Sequence, residues 1–112
     1  MAELTYHTLL AALRNHIGRD CGVTAQQLVV EVLGHTSAGD ERRLRDLVVE
    51  LRLQGHHVCA HPRGGYFLAA SAEELEETCA FLRSRAMKGL QQISRMQGIA
   101  LPDLVGQMHL PT

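Results

Sequence analysis

Apolar residues at Leu9, Leu10, Leu13 and Ile17 recur at steps of three and four, the spacing of one helix face, and predict a first helix over 4–17 closed by Gly18. Thr24 with Gln27 three positions on is a capping-box pair, and Leu28, Val29, Val32 and Leu33 then lead to Gly34, a helix stop. The stretch GHTSAG at 34–39 is small and polar and reads as a turn. Asp40 follows as the N-cap of a third helix whose buried stripe is Leu44, Leu47, Val48 and Leu51, ending at Gly55. The apolar period then changes from that of a helix to that of a strand, which predicts strands over 57–61 and 65–69 joined by Pro62, Arg63 and Gly64. From Ala72 to Gln97 the helical period returns, giving one helix of about 39 Å at 1.5 Å per residue. Ser71 and Glu74 open it as a second capping box, and Leu75, Cys79, Leu82, Ala86, Leu90 and Ile93 stripe it. Residues 98–112, with Gly98, Pro102 and Pro111, read as an irregular tail.

Composition narrows this picture. A length of 112 residues suits one domain, and the chain has only two Tyr, two Phe and no Trp, so Leu, Val, Ala and Met must fill the core. The expected fold class is mainly α with a β-hairpin wing, an α+β arrangement ending in a long helix. No apolar run approaches the roughly 20 residues of a membrane span, and the first residues lack the basic start and apolar core of a signal peptide, so a cytoplasmic protein is expected. Three cysteines, Cys21, Cys59 and Cys79, are widely spaced and odd in number, which fits free thiols, with Cys79 buried on the long helix. A formal net charge of -1 argues against coating nucleic acid through bulk positive charge, so any such contact must come from local clustering.

Helix, helix, turn, helix, hairpin is the order of a winged helix. LVVEVLG at 28–34 resembles the second helix and turn of the winged helix-turn-helix domain of the biotin-operon-repressor type. LRLQG at 51–55 resembles the end of its recognition helix, and GGYFL at 64–68 its second wing strand. This resemblance covers about residues 5–70. SAEELEETCAFLRSRAMKGL, which follows, is similar to the helix after the wing in small winged-helix proteins encoded by bacteriophages. The resemblance implies a winged helix-turn-helix domain over 1–70, followed by a long helix over 71–97, and a role in transcription regulation. The turn after Gly34 departs from the pattern, being about four residues longer than the tight turn usual there. No biotin-ligase domain is present, so neither biotin nor that activity is carried over.

Within this frame Arg42, Arg43 and Arg45, early in the third helix, are the candidates for double-stranded DNA, because the guanidinium fork can bond guanine O6 and N7 or clamp phosphate. Arg63 at the wing tip, Gln26 and Gln27 at the start of the second helix, and Thr36 and Ser37 in the turn are candidates for the phosphate backbone. The plainer reading is a solvated arginine face. Asp40, Glu41, Asp46 and Glu50 nearly offset the five arginines between Asp40 and Arg63, so a monomer should bind weakly and a homodimer is expected. The Leu75, Cys79, Leu82, Ala86, Leu90 and Ile93 stripe would form it, an antiparallel pair setting Glu73, Glu74, Glu76 and Glu77 beside the partner's Arg83, Arg85, Lys88 and Arg95 face. Two alternatives stay open: the helix folds back over its own core, or its basic half touches DNA.

His56, His57, Cys59 and His61 raise the question of zinc, but they form no second ligand pair at finger spacing, so a polar wing face and no metal are expected. No catalytic motif or cofactor-binding signature is present, and a non-enzymatic protein is expected. The rival function is a phage protein that uses the winged-helix scaffold to bind and inhibit a host protein complex.

Overall fold

The computed structural model describes residues 2–103. Helix α1 spans Tyr6–Leu13, capped by Thr5, whose hydroxyl accepts from the Thr8 amide while the Thr8 hydroxyl accepts from the Thr5 amide. It is shorter than the predicted 4–17. Residues 16–18 leave the helix to pair with the hairpin: Leu68 N–H donates to His16 O and Gly18 N–H to Leu68 O, each at 2.8 Å. Ile17 therefore bridges Leu68 and stands 53% exposed instead of joining the helical stripe. After a single 3-10 turn at Arg19–Cys21, Val23 bridges Tyr66.

Helix α2, Ala25–Leu33, starts at the Thr24–Gln27 capping box and stops at Gly34, whose φ of 81° is left-handed. Helix α3, Ala38–Leu53, is capped by Ser37, three residues before the predicted Asp40. Both are capping types, but Asp40 serves better inside the first turn, where its carboxylate meets the positive helix end and its amide donates to Ser37 Oγ. The connection between α2 and α3 is thereby only residues 34–37, and the lengthened turn expected from the sequence is not there.

Strands β1 (Val58–His61) and β2 (Gly65–Leu68) form an antiparallel hairpin with Val58 opposite Leu68 and Cys59 opposite Phe67. The fold is mainly α with this two-stranded wing, an α+β class. Leu9, Leu13, Leu28, Val29, Leu44, Leu51 and Val58 are fully or almost fully buried in one core shared by α1, α2, α3 and β1. Burying each such side chain contributes roughly 2 kcal/mol.

Helix α4 spans Ala72–Gln97. Its start is tied to the hairpin by Ala60 N–H donating to Thr78 Oγ1 and by Cys59 Sγ donating to Glu74 O. Ser71 Oγ accepts from the Glu74 amide, but the Glu74 carboxylate reaches past Ser71 to accept from Ala70 N–H at 2.8 Å and Arg19 N–H at 3.1 Å. Only half of the expected capping box forms.

The chain divides into two compact units, Met1–Thr78 and Cys79–Thr112. In the second, Gly98 breaks α4 at φ 69°, and Ile99 N–H donates to Ser94 O while Ser94 Oγ donates to Ile99 O. The predicted irregular tail lies mostly outside the described residues. Among the described residues no disulfide joins the cysteines, and the buried one is Cys59, whereas Cys79 is half-buried. No helix among the described residues is long and apolar enough to cross a membrane.

Candidate nucleic-acid interface

Because Leu44, Leu47, Val48 and Leu51 face the core, helical spacing puts Arg42, Arg45, Asp46, Val49 and Leu53 on the opposite, outward side of α3. All five are exposed. Arg42 and Arg45 have no side-chain partner among the described residues, leaving both guanidinium forks open. The other two arginines of this helix are committed to the fold. Arg43 Nε donates to Leu4 O at 3.3 Å, holding the segment before α1, and Arg52 Nε donates to Val58 O at 2.8 Å, holding β1. Val49 is 52% and Leu53 81% exposed, a feature the sequence reading missed although both fall off the buried stripe.

The residues around the helix starts are more occupied than their chemistry alone implied. Ser37 Oγ caps α3 and bonds Asp40 Oδ2 at 2.9 Å, and Thr36 Oγ1 donates to Glu41 Oε2 at 3.0 Å. Gln27 Oε1 accepts from Thr24 N–H at 2.9 Å, whereas Gln26 is exposed without a side-chain partner among the described residues. Arg63 is exposed at the wing tip, where its amide donates to His61 Nδ1 at 3.1 Å. The tip lies close against the loop before α2: a Cβ on Gly22 would sit 1.9 Å from Gly64 O. The structure thus joins Arg42 and Arg45 on one helix face, with Arg63 on a separate, firmly seated turn.

Along α4 the predicted pairing stripe is uneven. Leu75, Cys79 and Ile93 are half-buried, Leu90 is buried, and Leu82 and Ala86 are exposed. Phe81 is 52% exposed with the Arg85 guanidinium carbon 5.8 Å from its ring centre, and Met87 is 42% exposed. Of the α4 glutamates, Glu77 forms an ion pair with Arg19, and Glu74 accepts from the Ala70 and Arg19 amides. Those two backbone hydrogen bonds, Ala70 first and then Arg19, with the Arg19 charge adding to them, hold the Glu74 carboxyl below the ordinary carboxylate range.

The histidine and cysteine cluster is dispersed. Cys59 is buried against α4, His56 Nε2 lies 2.8 Å from Tyr6 Oη, and His61 is engaged with the Arg63 amide. Cys59 is therefore not part of an exposed polar wing face. Among the described residues no group of three or more His, Cys, Asp or Glu is placed to hold a metal ion.

Compared with known proteins, the chain matches no family model, no curated protein and no solved structure.

Proposed function

We propose that this chain is a cytoplasmic, non-enzymatic winged-helix protein that binds duplex DNA through α3 and the wing as a homodimer, regulating transcription in a phage or prophage. The observation that carries this reading is the pair of open guanidinium groups, Arg42 and Arg45, on the outward face of α3. The four-residue connection at 34–37 supports it, since helix-turn-helix motifs join their helices by three or four residues, often with a glycine. So does the seating of the wing, which holds Arg63 at a fixed turn. A second reading, binding to a host protein complex, is favoured by Val49 and Leu53 standing exposed on the same face, and by the net charge of -1.

Fluorescence anisotropy of a labelled random-sequence duplex, titrated with the full chain, separates the two. Contact through several phosphates weakens about tenfold or more between roughly 50 and 200 mM salt. An absence of binding at the lower salt overturns the DNA reading and leaves the protein-binding one.

A further inference from the structure

A recess of about 380 Å³ opens in the first unit where the end of α1, the link between α3 and β1, and the end of β2 meet. Leu10, Ile17 and Leu68 line it with apolar side chains, and Arg14, His56 and His57 line it as well. Among the described residues no carboxylate lines it. It is open to solvent, and an apolar surface with a few polar groups is the usual make-up of a small-molecule site.

Each polar group has capacity to spare. Arg14 is exposed, and its side chain has no partner among the described residues. His56 is held by Tyr6, whose hydroxyl bonds Nε2 at 2.8 Å and whose ring meets the imidazole edge-on, so Nδ1 remains. His57 is exposed, its carbonyl taken by the Ala69 amide and its ring without a partner among the described residues.

The walls are also fixed in advance. Ile17 is 53% exposed, yet its neighbours His16 and Gly18 are both hydrogen-bonded to Leu68, so a ligand covers this apolar surface without having to order it.

We propose that the recess binds an organic monocarboxylate. The carboxylate pairs with the planar fork of Arg14 and takes a further N–H from His57 or His56, while a short aliphatic or aromatic body lies on Leu10, Ile17 and Leu68. The charge balance selects this class. Among the described residues Arg14 is the only permanent cation in the lining, which matches one negative charge, and the apolar walls match a body that inorganic anions lack. The site shares no residue with the outward face of α3, so it stands or falls separately from the DNA reading.

The test is an amide-resolved NMR titration of the full chain, in a buffer free of carboxylates, with three probes: hexanoate, hexanol and inorganic phosphate. Hexanoate is expected to shift the amides of Ile17, His57 and Leu68 saturably, with a dissociation constant of about 1 mM or tighter. Hexanol, with the body but no charge, and phosphate, with charge but no body, should each bind about tenfold more weakly or worse. Arg14→Gln should weaken hexanoate about tenfold and leave hexanol and the melting temperature unchanged, because Arg14 packs at the surface. Hexanol or phosphate binding as tightly as hexanoate, an unaltered Arg14→Gln, or shifts that do not saturate each overturn the proposal.

Discussion

Val23 and Tyr66 exchange both backbone hydrogen bonds, at 2.9 and 2.6 Å, so the loop ahead of α2 serves as a strand partner of the wing. Gly65 adjoins this pair at a φ of 74°, and a Cβ there would lie 2.2 Å from Val23 O. Neither backbone can yield without breaking the exchange. Gly65→Ala is therefore expected to cost more than about 2 kcal/mol, combining left-handed strain with the clash. Gly34 is the matched control, with a φ of 81° and nothing within 4 Å of its Cβ position. Gly34→Ala should lose only the conformational part, roughly 1 kcal/mol. Urea melts of the two variants decide it, and equal losses would mean that the close approach at Val23 contributes nothing.

Glu74 links the 3-10 turn to the start of α4, and its carboxyl is held below the ordinary carboxylate range chiefly by the Ala70 amide and then by the Arg19 amide. A depressed folded-state value means that its contribution is fully present above the unfolded value, roughly 4.3. It is lost as pH falls through the lower folded value, where protonation turns one of the two accepting oxygens into a hydroxyl and removes the charge. The wild type should thus melt above Glu74→Gln at neutral pH, with the gap narrowing as the solution is taken below about pH 4. A gap that stays constant with pH would separate Glu74 from the acid sensitivity of this unit.

What could be read from the chain, and what could not, follows from where each decision is made. Helix α2 was legible because both of its ends carry local signals, Thr24 with Gln27 and Gly34. The buried stripe of α3 was legible from spacing alone. The end of α1 was not: Ile17 falls four residues after Leu13, as a helix would place it, but backbone bonds to Leu68 at the far end of the hairpin take residues 16–18 away. At α3 two capping residues compete three positions apart, and local chemistry ranks Ser37 and Asp40 almost equally. The arginines were indistinguishable in sequence because what separates them is distant, Leu4 O for Arg43 and Val58 O for Arg52. The recess beside Arg14 had no sequence signal at all, since its walls come from three elements.

That division of the arginines gives a test sharper than removing them together. Arg42→Ala with Arg45→Ala should leave the melting temperature unchanged, weaken binding to duplex DNA about tenfold or more, and flatten the logarithmic salt slope by about 2, near one per phosphate contact. Arg43→Ala should behave differently, losing about 1 kcal/mol of stability with its bond to Leu4 O and having a smaller effect on DNA. Anisotropy and thermal melts on the same preparations measure both. A wild-type salt slope in the double variant would remove the outward face of α3 from the contact.

The exposed centre of α4 makes the homodimer testable within one helix. Leu82, at 39% exposure, and Phe81, at 52%, are free for a partner, while Leu90, at 6%, is already covered within the chain. If two copies meet along this stretch, Leu82→Glu should leave each chain folded but shift its sedimentation from dimer to monomer. It should also weaken DNA binding, because the phosphate contacts of the second copy are lost. Leu90→Glu should act on the fold instead, lowering the melting temperature, since a charge would enter a buried position without a partner. Sedimentation equilibrium over a range of concentrations distinguishes these outcomes. A wild type that stays monomeric throughout would remove the dimer, and with it the reason to expect occupancy at physiological salt from so few positive charges.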